Sequence, residues 1–130
     1  PNMTYSHPWS SAPANAIAYG MFGIKPTTPG FKTFDIKLQP GDLEYVKIKV
    51  PTIKGHIEIE YNLNVYADNK TEICINAKIP GNTTARVFIP SKVEESDVLL
   101  DGMETDKKYE KGFFVIDNIG SGKHYIVVKN

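Results

Sequence analysis

Glu58 and Glu60 are the residues of this chain whose type and spacing come nearest to catalysis. Two apart on a strand, their carboxyls stand about 7 Å from one another, within the separation an inverting glycosidase uses for its acid and base. Such a pair must flank a sugar from opposed walls, however, and neighbours on one strand face point the same way. Flanked by His56, Asn62 and Asn64, they read as a solvated sheet face. Gly120-Ser121-Gly122-Lys123 echoes a phosphate loop, but Asp117 stands where its first glycine belongs and His124 replaces the magnesium-binding hydroxyl. A strand follows instead of a helix, so a hairpin turn is expected there. His7, His56, His124 and Cys74 show no metal spacing, and neither a metal nor a cofactor is expected. Cys74 alternates with Glu72 and Asn76 and reads as a half-buried structural residue. Ser6-His7 lacks a third group to orient it.

His7 and Trp9 differ from these, because they precede a helix in a segment of small residues and proline. An indole that stacks on a sugar face beside an imidazole that bonds a hydroxyl is one reading. A tryptophan that staples the helix start beside a surface histidine is the other. Tyr5, Tyr45 and Tyr66 could form a further sugar platform, although exposed strand tyrosines are common.

Few elements are needed to position these groups. Ser10 or Ser11 can cap a helix that tolerates Pro13 in its first turn, Gly23 stands where a left-handed stop costs least, and Pro26 and Pro29 forbid continuation. A helix of roughly Ala14 to Phe22 follows from this. So short a helix is not held in water without a packing partner. After Gly30 the period becomes two, with Phe34, Ile36 and Leu38, then Val46, Ile48 and Val50, facing one way. Ile57, Ile59, Tyr61, Leu63 and Val65 form the next apolar row, and Ile73, Ile75, Ala77 and Ile79 another. Residues 85–89, 98–100, 113–116 and 125–128 are shorter strands, and charged loops are expected at 94–97 and 104–111. The fold class is therefore all-β: an antiparallel β-sandwich of about seven or eight strands preceded by one short α-helix.

Composition narrows the function classes. The 15 basic and 15 acidic residues cancel, so no broad positive field exists to hold a phosphate backbone, and nucleic acid is not an expected partner. No apolar run approaches the ~20 residues of a membrane helix, so no membrane partner is expected either. One cysteine excludes an internal disulfide and leaves the compartment open.

The ordered motifs S-H-P-W-S-S-A-P (Ser6 to Pro13), G-I-K-P-x-x-P-G-F (Gly23 to Phe31), I-x-x-Q-P-G-D-L (Ile36 to Leu43), V-P-T-x-x-G-x-I (Val50 to Ile57) and I-P-G-N-T-T-A-R-V-F-I-P (Ile79 to Pro90) carry a resemblance. Together they resemble the carboxy-terminal end of bacterial α-L-rhamnosidases, glycoside hydrolase family 78. The resemblance implies that residues 1–24 are the last helical segment of an (α/α)6 catalytic barrel and that 25–130 are an accessory β-sandwich. It implies a parent enzyme that hydrolyses terminal α-L-rhamnose with inversion, by two barrel carboxylates lying upstream of the matching region. The barrel is then the expected partner, and a rhamnose-containing glycan the parent's ligand. His7 matches the family histidine that lines the rhamnose pocket, with Trp9 beside it; Pro8 replaces the usual glycine and stiffens that loop. On this reading Ile17, Met21 and Phe22 pack on the sandwich or on a neighbour. Two rivals stand beside it: a carbohydrate-binding module with Tyr45, Tyr61 or Tyr66 as platform, and an immunoglobulin-like spacer.

Overall fold

A computed structural model describes residues 12–129 and shows two sheets packed face to face. The chain enters through α1 (Ala12–Ala16), a π-helical turn (Ile17–Met21) and β1 (Lys25–Pro26). A 3-10 turn at Pro29–Phe31 leads into β2 (Thr33–Lys37), β3 (Tyr45–Thr52), β4 (Gly55–Val65) and β5 (Thr71–Ile79). Then come β6 (Thr84–Pro90), β7 (Asp97–Leu100), β8 (Met103–Glu104), β9 (Lys108–Glu110), β10 (Phe113–Ile119) and β11 (Gly122–Lys129). One sheet runs β1-β2-β6-β10-β9 and the other β3-β4-β5-β11-β7-β8. The strands beyond the seven or eight expected are β1, β8 and β9, each two or three residues long and too short to display a period. None of the described helices is long and apolar enough to cross a membrane.

Alternation dictates the core. Phe34 and Ile36 from β2, Val87 and Ile89 from β6, and Phe114 and Ile116 from β10 meet Ile57 and Ile59 from β4, Ile75 from β5, and Ile126 and Val128 from β11; all are buried. This is the two-layer solution to burying one face of each sheet. Among the described residues all strand pairs are antiparallel except β2–β6, which is parallel because β3, β4 and β5 intervene in the opposite sheet before the chain returns. Asp35 and Arg86, register partners in that pair, form a two-pronged ion pair at 3.0 and 2.9 Å.

Several expectations are corrected. The Gly120-Ser121 turn is not a hairpin, because β10 and β11 belong to different sheets and the turn carries the chain across the sandwich. Two residues suffice for either connection, and only the long-range partners of each strand decide between them. Val65 leaves the inward row of β4 and is exposed, since that end of the strand projects past the core. Cys74 is buried instead of half-buried, although it lies on the outer face, because neighbouring side chains cover it. Among the described residues the α-helix spans Ala12–Ala16, and the turn that follows is π-helical. Phe22 lies beyond it in the core, Met21 packs against the core, and Ile17 is exposed. The charged loop expected at 104–111 contains β9, whose Tyr109 ring meets Phe114 edge-on.

Candidate functional site

Two places on the molecule have a built geometry beyond the core itself. The first is the junction between helix and sandwich. The π turn closes through Phe22 N–H to the Ile17 carbonyl at 3.2 Å, and Ile24 N–H reaches back to the Ala18 carbonyl at 3.0 Å. Gly23, at φ +54°, then turns the chain so that Phe22 and Ile24 enter the core, 1% and 2% exposed. The Gln39 amide donates to the Met21 carbonyl at 2.7 Å, tying the end of the helical segment to the chain that leaves β2. Gly23 is required twice over: its backbone is left-handed, and a Cβ there would lie 2.6 Å from the Lys37 carbonyl oxygen. Sequence reasoning placed Gly23 as the helix stop but not as the point where the chain plugs into the sandwich.

The second is a groove of ≈ 280 Å³ on the outer face of the six-stranded sheet. Antiparallel register lines up Lys47, Glu60, Asn76 and Tyr125 across β3, β4, β5 and β11. One row further along, Lys49, Glu58, Lys78 and Lys123 align in the same way. Glu58 sits between Lys78 at 3.1 Å and Lys49 at 3.3 Å, while Glu60 meets Lys47 at 3.3 Å and the Tyr45 hydroxyl at 3.3 Å. The Lys78 and Lys49 ammonium groups hold the Glu58 carboxyl below its ordinary range, opposite to what a general acid needs. The two glutamates are thus members of a charge ladder on one flat face and not an acid–base pair.

At the groove's end, Asp101 accepts the Tyr125 amide at 2.8 Å, and its other oxygen meets His124 Nδ1 at 2.8 Å. The Tyr125 N–H first, and His124 second, lower the Asp101 carboxyl below its ordinary value. His124 Nε2 faces the Gly120 carbonyl at 3.0 Å, so both ring nitrogens are engaged in holding the corner. Beneath the groove rim, burial raises the Cys74 thiol, and the Tyr125 hydroxyl, bonded to that sulfur, is pushed up to about 12. Tyr66 bonds Glu72 at 3.3 Å on the same face, whereas Tyr61 is buried in the core and is removed as a platform candidate. Among the described residues, no three of His, Cys, Asp or Glu converge on a metal position. His7 and Trp9, with Tyr5 and the capping serines, lie outside the described residues. The sequence reading did not join Asn76, Lys123 and Tyr125 into one site, because only the pairing of β5 with β11, some 50 residues apart, brings them together.

The fold and the junction define an all-β sandwich module built onto the end of a helical segment. Residues 23–103 match the model of the bacterial alpha-L-rhamnosidase C-terminal domain, and the chain belongs to that family. Similar folds occur in the alpha-L-rhamnosidases of Dictyoglumus thermophilum (24% identity, TM-score 0.70, 88% of this chain and 13% of that one) and Streptomyces avermitilis (22%, 0.67, 86% and 10%). The Aspergillus terreus alpha-L-rhamnosidase is also similar, at 23% identity and TM-score 0.67 over 96% of this chain and 12% of its own. The S. avermitilis enzyme was crystallised with L-rhamnose. The chain thus spans about a tenth of the length of these enzymes. No curated protein sequence matches it.

Proposed function

We propose that this chain serves as the non-catalytic C-terminal β-sandwich of an α-L-rhamnosidase, and that it braces a catalytic barrel by gripping the barrel's last helical segment. The observation that carries this reading is the burial of Phe22 and Ile24 in the sandwich core directly after the helical turn. A helical segment that hands two large apolar side chains to another domain is held by roughly 1.5–3 kcal/mol for each. The Gln39–Met21 hydrogen bond and the tight passage at Gly23 fix its direction as well as its position. In this proposal residues 1–24 belong to the barrel and 25–130 to the sandwich, so the barrel's final segment ends inside its neighbour. His7 and Trp9 stand on the barrel side and contribute to the rhamnose pocket. Ile17 and Tyr19, exposed on the helical turn, are available to pack on the barrel.

Catalysis belongs to the barrel in this reading. Inversion needs an acid and a base on opposite sides of the scissile bond, whereas the Glu58–Glu60 pair points outward from one strand face and is committed to lysines. The test joins two measurements. The purified 130-residue chain should release no nitrophenol from an aryl α-L-rhamnoside. The full parent enzyme carrying Phe22→Ala should lose thermal stability while keeping its kcat at low temperature. Turnover by the isolated chain, or a parent whose unfolding is unmoved by Phe22→Ala, would refute the proposal.

A further inference from the structure

The groove over Asn76 has the composition of a ligand site. Its walls are Lys47 and Glu60 on one side and Lys123 and Tyr125 on the other, with Asn76, a shorter side chain than its neighbours, at the floor. The walls are held before any ligand arrives: Lys47, Lys49 and Lys78 are tied to Glu60 and Glu58, and Asp101 to His124. Less side-chain freedom is therefore lost on binding. Within the groove lining, the Asn76 amide and the Lys123 ammonium are polar groups not tied to another side chain by a hydrogen bond or ion pair. The Tyr125 ring beside them is 44% exposed.

These groups select a ligand. The carboxylates are already neutralised, so the groove offers no cation cage, and the single unpaired ammonium of Lys123 does not by itself make an anion cage. An amide that both donates and accepts, an ammonium that donates and an aromatic face match a ring bearing vicinal hydroxyls on one side and C–H groups on the other. At ≈ 280 Å³ the volume lies at the small end of ligand pockets, about 300–1,000 Å³. It suits one such ring. We propose that this groove binds a single neutral glycosyl unit, with Tyr125 against the ring and Asn76 and Lys123 bonded to its hydroxyls. The proposal stands on the groove alone and is independent of the brace.

Amide chemical shifts of the 130-residue chain, titrated with methyl glycosides of L-rhamnose, D-galactose and D-glucose and separately with sodium methyl galacturonate, test it. Saturable shifts at Asn76, Ala77, Lys123 and Tyr125 with at least one neutral glycoside are expected, at a Kd on the order of millimolar. Asn76→Ala should weaken that binding about fivefold, the loss of one neutral hydrogen bond, with Lys123→Ala similar. Tyr125→Phe should retain it and Tyr125→Ala abolish it. Because Tyr125 also covers Cys74, Asn76→Ala decides the matter if Tyr125→Ala fails to fold. The proposal is overturned by the absence of shifts with every neutral glycoside at about 50 mM, well above a millimolar Kd. A response to galacturonate alone, or binding indifferent to Asn76→Ala, overturns it equally.

Discussion

Gly23 and Asp101 each show how one residue type can be dictated by its surroundings. With φ at +54° and the Lys37 carbonyl 2.6 Å from where a Cβ would lie, Gly23→Ala meets both a left-handed backbone and a backbone atom that cannot swing away. The conformational part alone costs about 1–2 kcal/mol, so a total of at least ~2 kcal/mol is expected in urea unfolding. Gly81→Ala, with open space around it and no positive φ, should stay within about 0.5 kcal/mol. Asp101 is a different case, because its role depends on charge. Its native carboxyl titrates below the ordinary 3.8, so the stability it confers is complete above that value and drains away as pH falls through the lower folded one. Asn tolerates the φ of +53° at this turn, which makes Asp101→Asn a clean removal of charge. The substitution should cost about 1 kcal/mol at neutral pH, a charged hydrogen bond discounted for a carboxyl 41% exposed, and the gap from wild type should begin to narrow only below about pH 4 and close at lower pH. Urea midpoints from neutrality down into the acid range measure it; a gap independent of pH would count against the assignment.

At the scale of elements, the helical turn behaves as two halves with different tasks. Phe22 is buried and Ile17, five residues earlier, is 45% exposed. Phe22→Ala is therefore expected to cost about 3–5 kcal/mol in the isolated chain, while Ile17→Ala shifts it by less than about 0.5 kcal/mol. Thermal melts of the two variants separate the predictions, and equal losses would mean that the turn packs differently. The same contrast marks what sequence could reveal. The rows through β4 and β5 were legible because Ile57, Ile59, Ile73 and Ile75 alternate with residues that are not aliphatic (His56, Glu58, Glu60, Glu72, Cys74, Asn76), and a period of two survives without knowledge of any partner. Gly120-Ser121 was not, because a turn between two paired strands and a turn between two sheets share their composition. The groove was half legible: the polar row of Glu58 and Glu60 is local, whereas Tyr125 and Lys123 reach it only through the long-range β5–β11 pairing. The helix limit was blurred because Phe22 is a good apolar helix residue by pattern, yet it is claimed by the sandwich core.

Across the whole molecule the chain changes sheet after β2, β5, β6, β8 and β10, so no run of consecutive strands owns a core of its own. Each sheet's inner face is completed only by residues distant in sequence, which makes folding all-or-none and slow for the chain's size. Phe22 and Ile24 enter that shared core from outside the strands. Removing both forfeits at least about 3–6 kcal/mol in transfer free energy alone, a large share of the 5–15 kcal/mol that holds a domain. A chain beginning at Lys25 is therefore expected to lose cooperative unfolding and dispersed amide signals. A chain beginning at Ile17 keeps Phe22, Ile24 and the Ala18 carbonyl that receives the Ile24 amide, and should unfold as the 130-residue chain does. If the Lys25 chain instead gave a sharp, native-like transition, the helical segment would be an ornament on a self-sufficient sandwich. If it does not, sandwich and helix share one stability, and strain applied to the helix in a parent enzyme must be resisted by the whole core.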